Sequence, residues 1–270
     1  MNKTKITALI CALAAAVAFA APSFAAASGY SWYCPHRSDG IQPDCPGEMA
    51  FISDHSGYYI DKAHEKMDDG DKVIYLTFDA GYENGNIEKI LDVMKAENVT
   101  GAFFVLENLV KQNGELVRRM ADEGHLVCNH TAKHKDMTKM TDEAQFDAEL
   151  KRLEDVCLEY TGVTVAKYYR PPEGKLSEKS LEYAENLGYS TILWSYAYAD
   201  WDNNKQMAPE KAIEKVMKGT HNGEVILLHP TSATNAAIIG ELITRWKDMG
   251  FRFGSLDELT GKCTVTEQAK

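Results

Sequence analysis

Short apolar runs alternate along the chain with longer segments in which apolar residues recur every three to four positions. Seven short runs predict β-strands, and they lie at Val73–Phe78, Ala102–Val105, Leu126–Cys128, Tyr168–Tyr169, Thr191–Trp194, Val225–Leu228 and around Phe251. Strands that alternate with helices form a parallel sheet, which is either open or closed into a barrel. The pattern therefore predicts an α/β fold with about seven parallel strands.

Segments between these runs carry apolar stripes of helical period. The stripes are Ile87, Ile90, Leu91 and Met94; Phe146, Leu150, Leu153, Val156 and Tyr160; and Ile238, Leu242, Ile243 and Trp246. Residues 28–70 lack the alternation and are rich in Tyr, Pro, Gly and Asp, so we interpret them as an irregular N-terminal extension. The main domain is then expected at 71–262, followed by a C-terminal tail at 263–270.

Residues 1–27 have the features of a secretory signal peptide. Lys3 and Lys5 precede an apolar segment that is short for a membrane span, and a small-residue run offers cleavage after Ala25 or Ala27. Retention of the signal as an N-terminal anchor is the alternative. We expect export, with no stable membrane insertion once the signal is cleaved.

Charge and cysteine content narrow the choice of partners. The formal charge is −11, and removing Lys3 and Lys5 with the signal gives about −13, so nucleic acid is not an expected partner. Separately, we expect the protein to be a monomer. Cys34 and Cys45 flank a short loop, and we predict a disulfide between them in an oxidising compartment. The absence of a CxxC pair from the sequence argues against a cysteine zinc site.

Polar residues stand at the carboxyl ends of several predicted strands. They are Asp79, His130, His134, Arg170, Asp200 and His229. Each has a structural explanation when taken alone, such as a turn cap for the aspartate or a hydrogen-bonded core position for the last histidine. The carboxyl ends of parallel strands meet at one edge, where active sites gather, so the shared position favours a common site.

The motifs around these residues resemble those of the polysaccharide deacetylases, the NodB-homology carbohydrate esterases of family 4. The family's motifs T-F-D-D-G, H-[ST]-x-x-H, R-x-P-x-G, Asp-Trp and L-x-L-H stand here as TFDAG (77–81), HTAKH (130–134), RPPEG (170–174), DW (200–201) and ILLH (226–229). The resemblance covers about residues 72–260 and implies a distorted (β/α) barrel as the catalytic domain. TFDAGYENG and RPPEG are most similar to the delta-lactam-forming de-N-acetylases of spore-forming bacteria, which act on N-acetylmuramic acid.

The resemblance also implies roles for individual residues. Asp79 would be the general base, with its charge and orientation controlled by Arg170. His229 would be the general acid, supported by Asp200. The backbone N–H of Glu173 would donate to the oxyanion. The pocket for the acetyl methyl group and one groove wall would be lined by Trp201, Ile226 and Leu228.

Position 80 departs from the family pattern. The family's usual metal site combines a second aspartate with two histidines, but Ala80 stands where that aspartate would be. His130 and His134 are therefore expected to hold a divalent metal alone, with water, and more weakly. Zn²⁺ is the expected ion, with Mn²⁺ or Co²⁺ as alternatives, and a metal-free site in which the histidines only position substrate and water stays open.

Three functions from different classes compete. The leading one is a secreted, cell-wall-associated hydrolase that binds peptidoglycan glycan strands and deacetylates N-acetylmuramic acid on the route to the muramic delta-lactam of the spore cortex. The alternative substrates for a deacetylase are N-acetylglucosamine in peptidoglycan, chitin-like polymers and acetyl-xylan. The second function is that of a carbohydrate-binding protein that has lost catalysis. Such a protein would not need the acid and the base that this sequence retains. A glycoside hydrolase could use Asp79 with Asp200 or Glu173, but it leaves both histidine motifs unexplained.

Overall fold

The computed structural model describes residues 29–67 and 70–262. The predicted signal peptide (1–27) and the predicted C-terminal tail (263–270) lie outside the described residues. Among the helices of the described ranges, none is both long enough and apolar enough to cross a bilayer.

Strands and helices alternate along the described chain as the apolar pattern predicts. The strands are β1 (Tyr30–Ser31), β2 (Gly57–Tyr58), β3 (Lys72–Ala80), β4 (Ala102–Val105), β5 (Leu126–Asn129), β6 (Ala166–Tyr169), β7 (Lys175–Leu176), β8 (Ser190–Ile192), β9 (Tyr196–Ala197), β10 (Glu224–Leu228) and β11 (Phe251–Phe253). The α-helices are α1 (Ile87–Ala96), α2 (Glu107–Gln112), α3 (Gly114–Asp122), α4 (Glu143–Thr161), α5 (Glu178–Asn186), α6 (Pro209–Gly219), α7 (Ala233–Asp248) and α8 (Leu256–Leu259). Short 3₁₀ helices lie at Gly47–Asp54, Lys62–His64, Met137–Lys139 and Pro172–Gly174. All seven predicted strands are confirmed.

The main sheet is parallel and curls into a distorted barrel. Its strands follow the order β2-β8-β6-β5-β4-β3-β10-β9, and β11 pairs with the beginning of β3. β8 and β10 are not neighbours in this order, but the segment that joins β8 to β9 contacts β10, where the N–H of Ser195 donates to the carbonyl of Val225 at 2.9 Å. The predicted α/β barrel architecture is confirmed, with β2 and β9 as two further short strands of the sheet.

The N-terminal extension is part of this fold rather than an appendage. β2 pairs in parallel with β8 at one edge of the sheet, and Ile60 forms an antiparallel bridge with Glu224 at the beginning of β10. β1 pairs with β7 in a separate two-stranded antiparallel sheet. The extension therefore contacts the barrel at both its wall and the loops above it.

Alternation along β3 separates two apolar clusters. Val73 and Tyr75 face the barrel interior and pack with residues of β4, β5, β6, β8 and β10. The intervening side chains of β3, Ile74, Leu76, Phe78 and Ala80, belong to the cluster that α1 and α7 cover. Because side chains alternate along a strand, Asp79 shares the inner face and emerges at the carboxyl end of the barrel.

Two sequence predictions were wrong. Cys34 and Cys45 are free thiols in the structure, not a disulfide. Partial burial against an apolar cluster raises the pKa of Cys34 to about 12, which disfavours the thiolate from which a disulfide forms. Tyr160 was expected on the buried stripe of α4, but its side chain is exposed, because the buried face of the last turn carries Cys157 and Thr161 instead.

Candidate active site

The carboxyl ends of the strands surround one cavity of about 660 Å³. Six residues predicted for the site contribute to its lining: Asp79, His130, His134, Glu173, Trp201 and His229. Arg170 and Asp200 lie beneath the lining, almost completely buried, and each contacts one of these side chains. The structure therefore brings together the polar residues that the sequence placed at separate strand ends.

A buried arginine holds Asp79 from below. The Nη1 of Arg170 donates to Oδ1 of Asp79 at 2.9 Å, and its Nη2 donates to the hydroxyl of Thr77 at 2.8 Å. The Nε and Nη2 of Arg170 also donate to the carbonyls of Ile192 and Leu193. All of these acceptors are fixed by the barrel wall, so the guanidinium has one orientation and fixes that of the carboxylate.

The charge state of Asp79 results from opposing effects. Burial alone would raise the pKa of its carboxyl group, but His130 and His229 in their protonated forms, together with the charge and hydrogen bond of Arg170, outweigh burial and lower it. Oδ1 is occupied by Arg170, whereas Oδ2 lies 3.6 Å from Nε2 of His130, towards the cavity. Asp79 is therefore an ionised carboxylate with one oxygen facing the site.

The two histidines of the HTAKH segment meet without a helical turn. Their ring centroids are 5.0 Å apart, and His134 has a φ of +54°, so the four-residue spacing of the two histidines is not that of an α-helix. Nδ1 of His130 lies 2.9 Å from the carbonyl oxygen of Arg170, which can only accept, so this nitrogen carries the proton and Nε2 presents a lone pair. Burial lowers the pKa of His130 to about 4, so the ring is neutral at pH 7.

His229 is supported by a carboxylate on its far side. Its Nδ1 donates to Oδ1 of Asp200 at 2.7 Å, and its backbone N–H donates to Oδ2 at 2.8 Å. Burial would lower the pKa of His229, but the hydrogen bond and charge of Asp200, with a further contribution from Asp79, raise it. With Nδ1 directed to Asp200, Nε2 is the nitrogen left for the cavity.

One sequence prediction about the pocket wall was wrong. Ile226 and Leu228 are fully buried in the cluster under the helices, and Leu227 lines the cavity instead. The cause is the two-residue period of β10, which places Val225, Leu227 and His229 on the inner side. Trp201 lines the cavity as predicted; the residue is 62% exposed, and its ring centroid lies 6.4 Å from that of His229.

The RPPEG loop forms another side of the cavity. Glu173 has a φ of +56° and Gly174 a φ of +64°, two consecutive left-handed residues. A left-handed conformation is unusual for glutamate and is found where the surroundings impose it. The carboxylate of Glu173 is exposed and pairs with Nζ of Lys175 at 2.7 Å. Glu173 therefore lines the cavity without burying its charge.

The donor set fits a divalent metal only in part. His130 and His134 are adjacent, and His130 is neutral with its Nε2 free, as a metal-ligating imidazole requires. Ala80 contributes a fully buried methyl group to the outer apolar cluster. Over residues 29–67 and 70–262, no group of three His, Cys, Asp or Glu side chains has metal-site geometry. The residues present fit a site with two protein ligands.

Sequence reasoning missed several residues that complete the site. Nδ2 of Asn235 donates to Oδ2 of Asp200 at 2.6 Å and to the carbonyl of His229 at 3.0 Å. Asn235 lies three residues after Ser232, the N-cap of α7, so the sequence suggests only a place in the capped first turn of a helix. Thr77, which accepts from Arg170, could have been found from its two-residue spacing to Asp79.

Comparison with known proteins adds an independent observation. The family model described as polysaccharide deacetylase matches residues 66–192. A peptidoglycan-N-acetylmuramic acid deacetylase of Bacillus subtilis, PdaA, is 39% identical over 225 residues, which is 83% of this chain and 83% of that protein. The solved structure of B. subtilis PdaA, a family 4 carbohydrate esterase, has a TM-score of 0.81 at 36% identity and covers 87% of this chain and 97% of its own. A family 4 carbohydrate esterase from Bacillus anthracis has a TM-score of 0.70 at 32% identity, over 87% of this chain and 98% of its own.

Proposed function

Because the chain belongs to the polysaccharide deacetylase family, we propose that it hydrolyses the N-acetyl group of an amino sugar in peptidoglycan, with N-acetylmuramic acid as the substrate sugar. One observation carries the chemistry: an ionised carboxylate, Asp79, and a carboxylate-supported imidazole, His229, line the same cavity. Amide hydrolysis needs a base for water and an acid for the departing nitrogen. The similarity to PdaA supports the choice of muramic acid.

Asp79 is the proposed general base. Arg170 occupies Oδ1, so Oδ2 is the oxygen that accepts a proton from the attacking water. The guanidinium lowers the pKa of the carboxyl group and so keeps it ionised at neutral pH, at some cost in basicity. The rigid set of acceptors around Arg170 fixes the direction from which water can be deprotonated.

His229 is the proposed general acid. Asp200 stabilises the imidazolium and leaves Nε2 to protonate the amine as the C–N bond breaks and acetate departs. The backbone N–H of Glu173 is the proposed donor to the oxyanion of the tetrahedral intermediate, a role that suits a loop held in an unusual backbone conformation. Leu227 and Trp201 supply the apolar surface for the acetyl methyl group.

His130 and His134 are the residues that would hold a divalent metal, with Zn²⁺ as the expected ion and Mn²⁺ or Co²⁺ as alternatives. Such an ion, when bound, polarises the carbonyl of the acetamide and the water beside it. Ala80 adds no ligand, so we expect weak affinity and ready removal by a chelator. The neutral imidazole of His130, held by the carbonyl of Arg170, is suited to this role.

We further propose an extracytoplasmic enzyme that acts on glycan strands of the cell wall. The charged and apolar pattern of residues 1–27 supports export. Hydrolysis of the N-acetyl group of N-acetylmuramic acid leaves a free amine next to the lactyl carboxyl group, and condensation of the two with loss of water gives the delta-lactam of the spore cortex. A lactam-forming step would therefore consume the product of this reaction.

The test is incubation of the purified mature enzyme with peptidoglycan strands, with and without peptide stems. We expect acetate release without new reducing ends, and mass spectra of the digested glycan that place the loss of one acetyl group on muramic acid. Loss from glucosamine alone would overturn the proposed sugar. Reducing ends without acetate would indicate a glycoside hydrolase, and neither product would indicate a binding protein.

A further inference from the structure

The N-terminal extension is joined directly to the loop that carries the proposed oxyanion donor. β1 pairs antiparallel with β7, with Tyr30 opposite Leu176 and Ser31 opposite Lys175. The next residue, Trp32, continues this contact, because its backbone N–H donates to the carbonyl of Gly174 at 2.8 Å. The RPPEG loop is thus held at its carboxyl end by three consecutive residues of the extension.

The side chain of Trp32 makes a second connection to the cavity wall. Its indole N–H donates to the carbonyl of Trp194 at 2.9 Å, across 162 positions of sequence. Trp194 lines the cavity, and its ring lies 5.8 Å from the guanidinium carbon of Arg170. Trp32 itself is buried and packs on Tyr59, with ring centroids 5.0 Å apart, so its orientation is fixed from within the extension.

Gly174 lies between the two tryptophans. A Cβ atom at this position would be 2.9 Å from Cη2 of Trp194 and 3.1 Å from Cβ of Trp32. The residue before it, Glu173, holds a left-handed conformation with a φ of +56°. Such a conformation persists only where neighbouring structure determines it, and here the next residue, Gly174, is enclosed on two sides by Trp32 and Trp194.

We propose that Trp32 is a positioning residue for catalysis: it holds the RPPEG loop so that the N–H of Glu173 points at the developing oxyanion. The proposal rests on the proposed deacetylase function. An oxyanion donor acts within a few tenths of an ångström of its best position, and its interaction is strongest in the transition state. Displacement of the loop should therefore reduce kcat more than it changes KM.

The test compares Trp32→Phe and Trp32→Ala with the wild type. Phenylalanine retains packing on Tyr59 but removes the indole donor, whereas alanine removes both. We expect kcat to fall on the order of 10-fold in Trp32→Phe and up to about 100-fold in Trp32→Ala, with KM within about twofold. The pH–rate profile should keep its shape, because Asp79 and His229 retain their partners.

Tyr33→Phe is the matched control, because the exposed Tyr33 is the next residue and its hydroxyl donates to Glu48 on the protein surface. It should show wild-type kcat and KM. A Trp32→Phe enzyme with unchanged kcat, measured well below its melting temperature, would overturn the positioning role, as would equal losses in kcat for Trp32→Phe and Tyr33→Phe. A wild-type enzyme that releases no acetate would instead refute the proposed function.

Discussion

Asp79 and His229 line the same cavity from the ends of two neighbouring strands, β3 and β10, and each is paired with a group of opposite charge. At Asp79 the functional group is the carboxylate and the supporting group is the guanidinium of Arg170, 2.9 Å away. At His229 the functional group is the imidazole and the supporting group is the carboxylate of Asp200, 2.7 Å away. The two pairs use the same kind of interaction with the roles of anion and cation exchanged.

The exchange of roles separates the two pKa values. Arg170, with its permanent charge, contributes to lowering the pKa of Asp79, and Asp200 raises the pKa of His229. Between the two values the base is ionised and the acid is protonated, which is the combination that hydrolysis requires. Each supporting group, Arg170 or Asp200, therefore contributes to one limit of the pH range in which the enzyme works.

The largest effect is expected for Asp79→Asn. An amide of the same shape still accepts from Arg170 but cannot take a proton from water, so kcat should fall on the order of 10³-fold or more. Far-ultraviolet circular dichroism should remain native, and acetate release measures the loss. Wild-type turnover by this variant would show that Asp79 is not the general base.

Arg170→Lys tests whether geometry or charge matters more on the base side. Lysine keeps the positive charge but cannot donate to Asp79, Thr77 and the Ile192 carbonyl in one plane. We expect about a 100-fold loss in kcat/KM and a lower melting temperature, because buried acceptors lose their donors.

Arg118→Lys is the control for that substitution, since Arg118 pairs with the exposed Glu115 and does not line the cavity. It should leave turnover unchanged. Full activity in Arg170→Lys, measured alongside this control, would show that charge alone supports Asp79.

Asp200→Asn tests the acid side through pH. Asp200 raises the pKa of His229, and burial lowers it, so removing the carboxylate should lower the pKa. Activity requires protonated His229 and declines as pH rises through that pKa, so the alkaline limb of the kcat profile should move to lower pH. At neutral pH we expect roughly a tenfold loss. An alkaline limb at the wild-type position would assign it to another group.

The sequence predicted the barrel strands and the joint site because both depend on local patterns. Apolar runs mark the strands, and each motif follows the strand that positions it. The choice of Ile226 and Leu228 over Leu227 failed because motif letters do not state which face of β10 each residue occupies. Trp32 and Asn235 act through contacts between distant parts of the chain, which a single sequence does not reveal.

The smallest effect on turnover is expected for Ala80→Asp, which adds a carboxylate beside the base. Ala80 is fully buried in the apolar cluster under the helices, so a carboxylate there should lower the melting temperature of metal-free protein, by the cost of burying an unpaired charge. If the carboxylate turns towards His130 and His134, it supplies the third ligand that the wild-type site lacks. Binding to the native state alone then restores stability.

We therefore expect Zn²⁺ to raise the melting temperature of Ala80→Asp more than that of the wild type, and to bind the variant more tightly by calorimetry after chelator treatment. Turnover should change little, because the added negative charge makes the ion a weaker Lewis acid. Ala80→Asn is the matched control, since it has the same size without the charge. Equal Zn²⁺ affinity in the aspartate, asparagine and wild-type proteins would show that a side chain at position 80 stays in the outer apolar cluster and does not reach the histidines.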